Sequence, residues 1–201
     1  MKMTALDRAL LFITVFLSAY QIVIGIDNLS TVPITAYTIA FGVLLVAGLL
    51  LIILDFGALD SPVVVIVSTI IPLALSLGLV WEHLASYRPL YLVFTIIGFA
   101  AVTFTRAIPM QNKLPTITIA IVHGVAGLTI FLLPIILSIQ GVTKPIFSLV
   151  GIGGALISFD GLLLSFLKTG KPILSKDTIL KILPGLWLLM TICFVAGFKF
   201  G

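Results

Sequence analysis

KPIFSLVGIGGALISFDGLLLSFLK, residues 144–168, is a hydrophobic run bracketed by lysines, with one carboxylate, Asp160, inside it. An α-helix rises about 1.5 Å per residue, so about 20 apolar residues cross a hydrocarbon layer about 30 Å thick. The stretch predicts a transmembrane helix. Its acid needs a reason, because a charge at that depth costs at least about 2.5 kcal/mol and belongs in a bundle interior with a partner.

The rest of the chain has the same character. Of its 201 residues, 61% are hydrophobic and 9% charged, and the mean hydropathy is +1.34. That composition is far from globular and typical of polytopic membrane proteins. Seven apolar runs fit spanning helices: 5–26, 32–54, 61–81, 89–105, 115–139, 145–167 and 178–198. None carries the period-2 polar face of a barrel strand. The reading is an all-α integral membrane protein of seven transmembrane helices, one domain over residues 1–201. Lys2 and Arg8 ahead of apolar residues 9–17 have the look of a signal peptide. Asp7 and the continuation of the run to Ile26 favour a first helix instead.

Prolines punctuate the runs. Pro33, Pro62, Pro89, Pro115 and Pro145 fall near helix starts, where the missing N–H is an unused donor. Pro72, Pro134 and Pro184 lie inside runs and are expected to kink them. Lysine and arginine placement sets the orientation. One side holds Lys2, Arg8, Arg106, Lys113, Lys168, Lys171, Lys176 and Lys181, and the other Arg88, Lys144 and Lys199. The N-terminus is therefore expected in the cytoplasm and the C-terminus outside. Tyr20, Tyr37, Tyr87, Tyr91 and Trp81 then fall near the outer interface, where amphipathic rings are favoured.

Composition also excludes function classes. No basic run tracks a phosphate backbone, so nucleic acid is not a partner. The partners are the lipid bilayer and, as open alternatives, a second copy of the chain or other membrane subunits. Cys193 is the only cysteine, which rules out an internal disulfide or a thiolate cluster. No cofactor and no metal ligand set is expected, and the chain is read as not an enzyme. There is no GxSxG elbow and no HExxH pair, and the two histidines lie at opposite estimated depths.

An internal repeat organises the helices. Thr31-x-Pro33-Ile34 recurs as Thr143-x-Pro145-Ile146, Gly42-x-Leu44 as Gly154-x-Leu156, Gly48 and its leucines as Gly161 and its leucines, and Pro72 as Pro184. Spans one to three (5–81) thus repeat as spans five to seven (115–198), with 89–105 as an inverting linker, a 3+1+3 parallel repeat. This arrangement resembles that of the SWEET sugar carriers and, more distantly, KDEL receptors and microbial rhodopsins. The resemblance covers arrangement alone: no motif of these families is found, and the expected N-in orientation is opposite to theirs. A second resemblance is local. YQIVIGIDNL (20–29) resembles the TerC-type metal exporter motif, with ISFDG (157–161) faintly similar to its second copy. It implies divalent-metal export, but Gln21 stands in place of the motif's glutamate.

Two residues carry the chemistry expected of the bundle. Asp160 lies eight residues before Lys168, and His123 lies eight after Pro115 on the preceding antiparallel run, so the two reach similar depth. A carboxylate beside an imidazole at membrane depth suits a proton relay or a grip on a solute. Neutral and hydrogen-bonded, the same pair would only join two helices. Gly42 to Gly48 is six residues and Gly154 to Gly161 seven, so the added residue is expected as a π-bulge carrying Asp160 between the halves. Gly151, Gly153, Gly154, Gly161, Gly124 and Gly127 are expected to let helices approach closely. Outside, Asp27, Glu82, His83 and Arg88 are candidates for a vestibule. Inside, Asp7, Asp55, Asp60 and Asp177 are expected in loop ion pairs. The first functional expectation is a small carrier passing a solute or proton between two three-helix halves. The alternatives are a non-catalytic subunit or assembly factor of a larger membrane complex, and a divalent-metal exporter.

Overall fold

The computed structural model describes residues 2–26, 29–108, 110, 112–168 and 174–201. It is all-helical: α1 (Ala5–Ile24), α2 (Thr31–Leu54), α3 (Pro62–His83), α4 (Arg88–Ala107), α5 (Leu114–Ile139), α6 (Ser148–Lys168) and α7 (Lys176–Phe200). All seven are long and apolar enough to cross a membrane, and their ends lie within three residues of the expected runs. The chain is a multi-pass membrane protein by this measure.

Local chemistry sets the ends. Asp7 N–H donates to Thr4 Oγ1 at 3.2 Å while Thr4 N–H donates to Asp7 Oδ2 at 2.8 Å, a reciprocal cap that satisfies donors with no helical partner. Gly25, at φ +64°, ends α1 and donates to the Gln21 carbonyl at 3.0 Å. Asp55, at φ +62°, follows α2. It stays in this unfavourable region because its carboxylate accepts from the amides of Met3 (3.0 Å) and Phe56 (2.8 Å). These backbone bonds, Phe56 first, hold the Asp55 carboxyl below its usual range. Arg8 donates to the Ile52 carbonyl. The expected loop ion pairs are therefore replaced, at Asp7 and Asp55, by bonds to backbone amides. Charged groups near helix ends find backbone partners at less entropic cost than two long side chains find each other.

Consecutive helices pack against one another, and two further contacts close the assembly, α1 with α7 and α3 with α5. Six helices thus form a closed cycle of neighbours in the order α1, α2, α3, α5, α6, α7. Helix α4 rides outside on α3 and α5 and is the least enclosed of the seven. Side chains such as Phe194, Leu183, Leu79, Leu75 and Ile130 fill the interior. Tyr37, expected at the interface, is instead a core residue, 4% exposed. It lies over Gly78 and against Phe198 at 4.6 Å between ring centroids. Tyr20 and Tyr87 are exposed.

The glycines divide. A Cβ on Gly154 would stand 2.8 Å from the Ile130 carbonyl carbon and one on Gly151 2.6 Å from the Phe131 carbonyl oxygen, so α5 and α6 touch backbone to side. Gly153 and Gly197 do the same between α6 and α7, and Gly127 admits Ser158. Gly124 and Gly161 have nothing within 4 Å of that position, so the close approach expected there is absent.

Candidate functional site

Helix α6 carries two stripes. Gly151, Gly154 and Ser158 meet α5, while Val150 and Gly153 meet α7 at Gly197 and at Phe194 with Met190. In that antiparallel register each step forward on α6 is a step back on α7, and the sequence reaches Asp160 opposite Trp187. The indole Nε1–H donates to Asp160 Oδ2 at 3.0 Å. Asp160 is 6% exposed and Trp187 is buried beside it. The second carboxyl oxygen, Oδ1, has no partner among the described residues. Thr191, one turn further along α7, donates to the Trp187 carbonyl at 2.7 Å.

The expected meeting of Asp160 with His123 is corrected. Gly127 meets Ser158 and Ile130 meets Gly154, which brings His123 to the level of Asp160. The side chains nonetheless make no hydrogen bond; the recorded partner of Asp160 is Trp187. Ser158, on the α5 stripe, is two residues from Asp160, about 200° around the helix. His123 Nδ1 is likewise buried and without a partner among the described residues. Arg106 Nε, on α4, is also buried without a partner among the described residues. The expected π-bulge is also absent: α6 is regular α-helix from Ser148 to Lys168.

The described vestibule candidates make separate contacts. Asp27 lies outside the described residues. Arg88 Nε donates to the Trp81 carbonyl at 2.5 Å, and its guanidinium sits 5.7 Å from the Trp81 ring centroid, a cation–π contact. His83 packs its ring edgewise on Phe147 at 5.4 Å. Glu82 is half-buried near the end of α3. Among the described residues no three His, Cys, Asp or Glu side chains group as metal ligands.

Other polar residues also face inward. Thr14, Ser18 and Gln21 form a buried stripe on α1, and Thr69, Ser76, Thr105 and Thr191 are buried on other helices. Each hydroxyl donates to a carbonyl one turn back on its own helix, which satisfies it without water. Asp160 differs from these hydroxyl groups in keeping an oxygen without a partner among the described residues, as does Gln21 at Oε1.

No family model, curated protein or solved structure matches the chain. Chemistry must therefore be read from the site itself. A carboxyl with one oxygen fixed by an indole and the other free can bind and release one proton at Oδ1. It can also accept a hydrogen bond from a polar solute there. Trp187, which sets this geometry, was not picked out from the sequence; only the α6–α7 register identifies it.

Proposed function

We propose that the chain is a small membrane carrier that moves a proton or small polar solute between two three-helix halves, with Asp160 as the binding group and Trp187 as the residue that orients it. The observation that carries this reading is the buried Oδ1 of Asp160, which has no partner among the described residues. A buried acid inside a spanning segment that is not fully satisfied is what a transport site needs and what a purely structural joint avoids. His123 is then a separate station on α5 rather than the partner of Asp160.

The 3+1+3 parallel repeat belongs to the same proposal. Exchanging α1, α2 and α3 with α5, α6 and α7 maps the neighbour pattern onto itself: α1–α2 onto α5–α6, α2–α3 onto α6–α7, and α1–α7 onto α5–α3. That symmetry supports two halves hinged along the α1–α7 and α3–α5 seams. In the present conformation the interior is packed, so passage requires those seams to part. The excess of lysine and arginine on the N-terminal side supports an N-terminus in the cytoplasm and a C-terminus outside.

Purification in mild detergent with mass determination, followed by reconstitution, tests the reading. A particle made of this chain alone, carrying proton or solute flux in liposomes, is expected. Stoichiometric foreign subunits together with no flux would replace the carrier by a subunit of a larger complex.

A further inference from the structure

The joint between α6 and α7 also bears on what is carried. One turn to either side of Asp160 on α6 stand Leu156, Ile157, Leu163 and Leu164. Leu163 is buried, and the other three pack against the apolar core that contains Trp187. In that setting the acid offers a single unengaged acceptor, Oδ1, because Oδ2 is taken by the Trp187 indole.

The count of acceptors separates the candidate cargoes. A hard divalent cation takes about six or more oxygen ligands, and no group of side chains among the described residues provides them. A polar solute brings several donors and acceptors, and each one left unmatched beside leucine side chains is unfavourable. A proton needs one oxygen. It forms the Oδ1–H bond, removes the charge and leaves Oδ2 to accept from the indole.

The surroundings favour the same species. Helix α6 packs against α5, α7 and the short 3-10 turn Pro145–Phe147. The turn has no titratable residue, and α5 has His123, which is not the hydrogen-bond partner of Asp160. On α7 the nearest are Lys181 and Cys193, each six residues from Trp187, or about 9 Å along the axis. Lys176, Asp177 and Lys199 lie further along α7, and Lys168 closes α6. A carboxylate here has one donor and no cation beside it, whereas the neutral acid has no charge to compensate.

We propose that the species Asp160 carries is a proton, held as the Oδ1–H of a neutral acid in the packed conformation. This deepens the carrier reading and rests on it. The proton comes from water on one side as the O–H bond forms, and returns to water on the other as that bond breaks and the carboxylate is regenerated. Trp187 keeps its own N–H throughout and holds Oδ2 in place.

Infrared difference spectra and proton uptake test the proposal. At about pH 5, where an exposed aspartate is already ionised, wild type minus Asp160→Asn is expected to show the carbonyl band of a neutral carboxylic acid. That band should disappear in alkali. Asp160→Glu, which keeps a protonatable oxygen, should shift it, and keeps the test available if Asp160→Asn does not fold. Liposomes holding a potassium diffusion potential and a pH dye, with no solute added, should take up protons with the wild type and fall to background leakage with Asp160→Asn. An ionised Asp160 at that pH, an unshifted band in Asp160→Glu, or equal proton uptake in wild type and Asp160→Asn would overturn the proposal. Asp160-dependent flux of a solute with no proton movement would overturn it while leaving the carrier reading in place. No Asp160-dependent flux of either kind would remove both.

Discussion

Replacing Trp187 by phenylalanine isolates the contact that organises the site. The substitution removes the Nε1–H that donates to Asp160 Oδ2 at 3.0 Å and leaves both carboxyl oxygens without a partner among the described residues, since Oδ1 has none there. An interhelical hydrogen bond inside a membrane is worth about 0.6 kcal/mol on average and up to about 1.7, whereas stranding a buried acceptor costs about 1–3 kcal/mol. The smaller ring adds about 1 kcal/mol for lost packing between α6 and α7. The expected destabilisation is therefore about 2–4 kcal/mol, set mainly by the stranded carboxyl. Asp160→Leu should also destabilise, by stranding the indole. The double variant removes both partners and should cost less than the sum of the single changes by at least about 1 kcal/mol. Unfolding with increasing dodecyl sulfate in mixed micelles, followed by far-ultraviolet circular dichroism, gives these values. Circular dichroism is the suitable signal because Trp187 is one of only two tryptophans. Additivity of the two single changes within about 0.3 kcal/mol would refute the reasoning.

Three further outcomes are expected. Gly154→Ala places a Cβ 2.8 Å from the Ile130 carbonyl carbon and should destabilise by about 1–3 kcal/mol, while Gly161→Ala, with open space around it, should be neutral or stabilise by up to about 1 kcal/mol; the same unfolding assay compares them. Because the folded-state Asp55 carboxyl is held below its ordinary range, its stabilising contribution is complete above that range and is lost as the pH falls through the depressed folded value. Protection of the Met3 amide from hydrogen exchange, taken relative to the unstructured chain at the same pH, should fall over that acid window, and Asp55→Ala should show the low protection already at neutral pH. Finally, in a Cys193→Ser background, Lys113→Cys should be shielded from a membrane-impermeant thiol reagent in intact cells and Lys199→Cys labelled, the reverse pattern contradicting the proposed orientation.

The seven helices were legible because the bilayer imposes a length and forbids unsatisfied backbone, so hydropathy alone delimits each run. The burial of Asp160 was legible for the same reason: an acid in a spanning run must turn inward. Its partner was not. Successive residues turn 100°, so whether position 160 meets α5 or α7 depends on how α6 is rotated. That rotation is fixed by Gly151 and Gly154 against α5 and by Gly153 against Phe194. The bulge failed through a false correspondence. Gly48 packs under Val15, whereas Gly161 faces open space, so the two glycines do not hold equivalent places and their spacing does not require an extra residue in the helix. Tyr37 misled in a similar way, since a tyrosine near a helix end reads as an interfacial anchor unless the facing Gly78 is known to leave room for its ring.

The central claim is that Asp160 binds what crosses the membrane. Its most direct test is flux into liposomes reconstituted with the wild-type chain, Asp160→Glu and Asp160→Asn, under an imposed proton gradient with candidate solutes, each variant first shown to be folded and monodisperse. The account predicts flux in the wild type, reduced but measurable flux in Asp160→Glu, and background leakage in Asp160→Asn. Flux in Asp160→Asn equal to that of the wild type would contradict it.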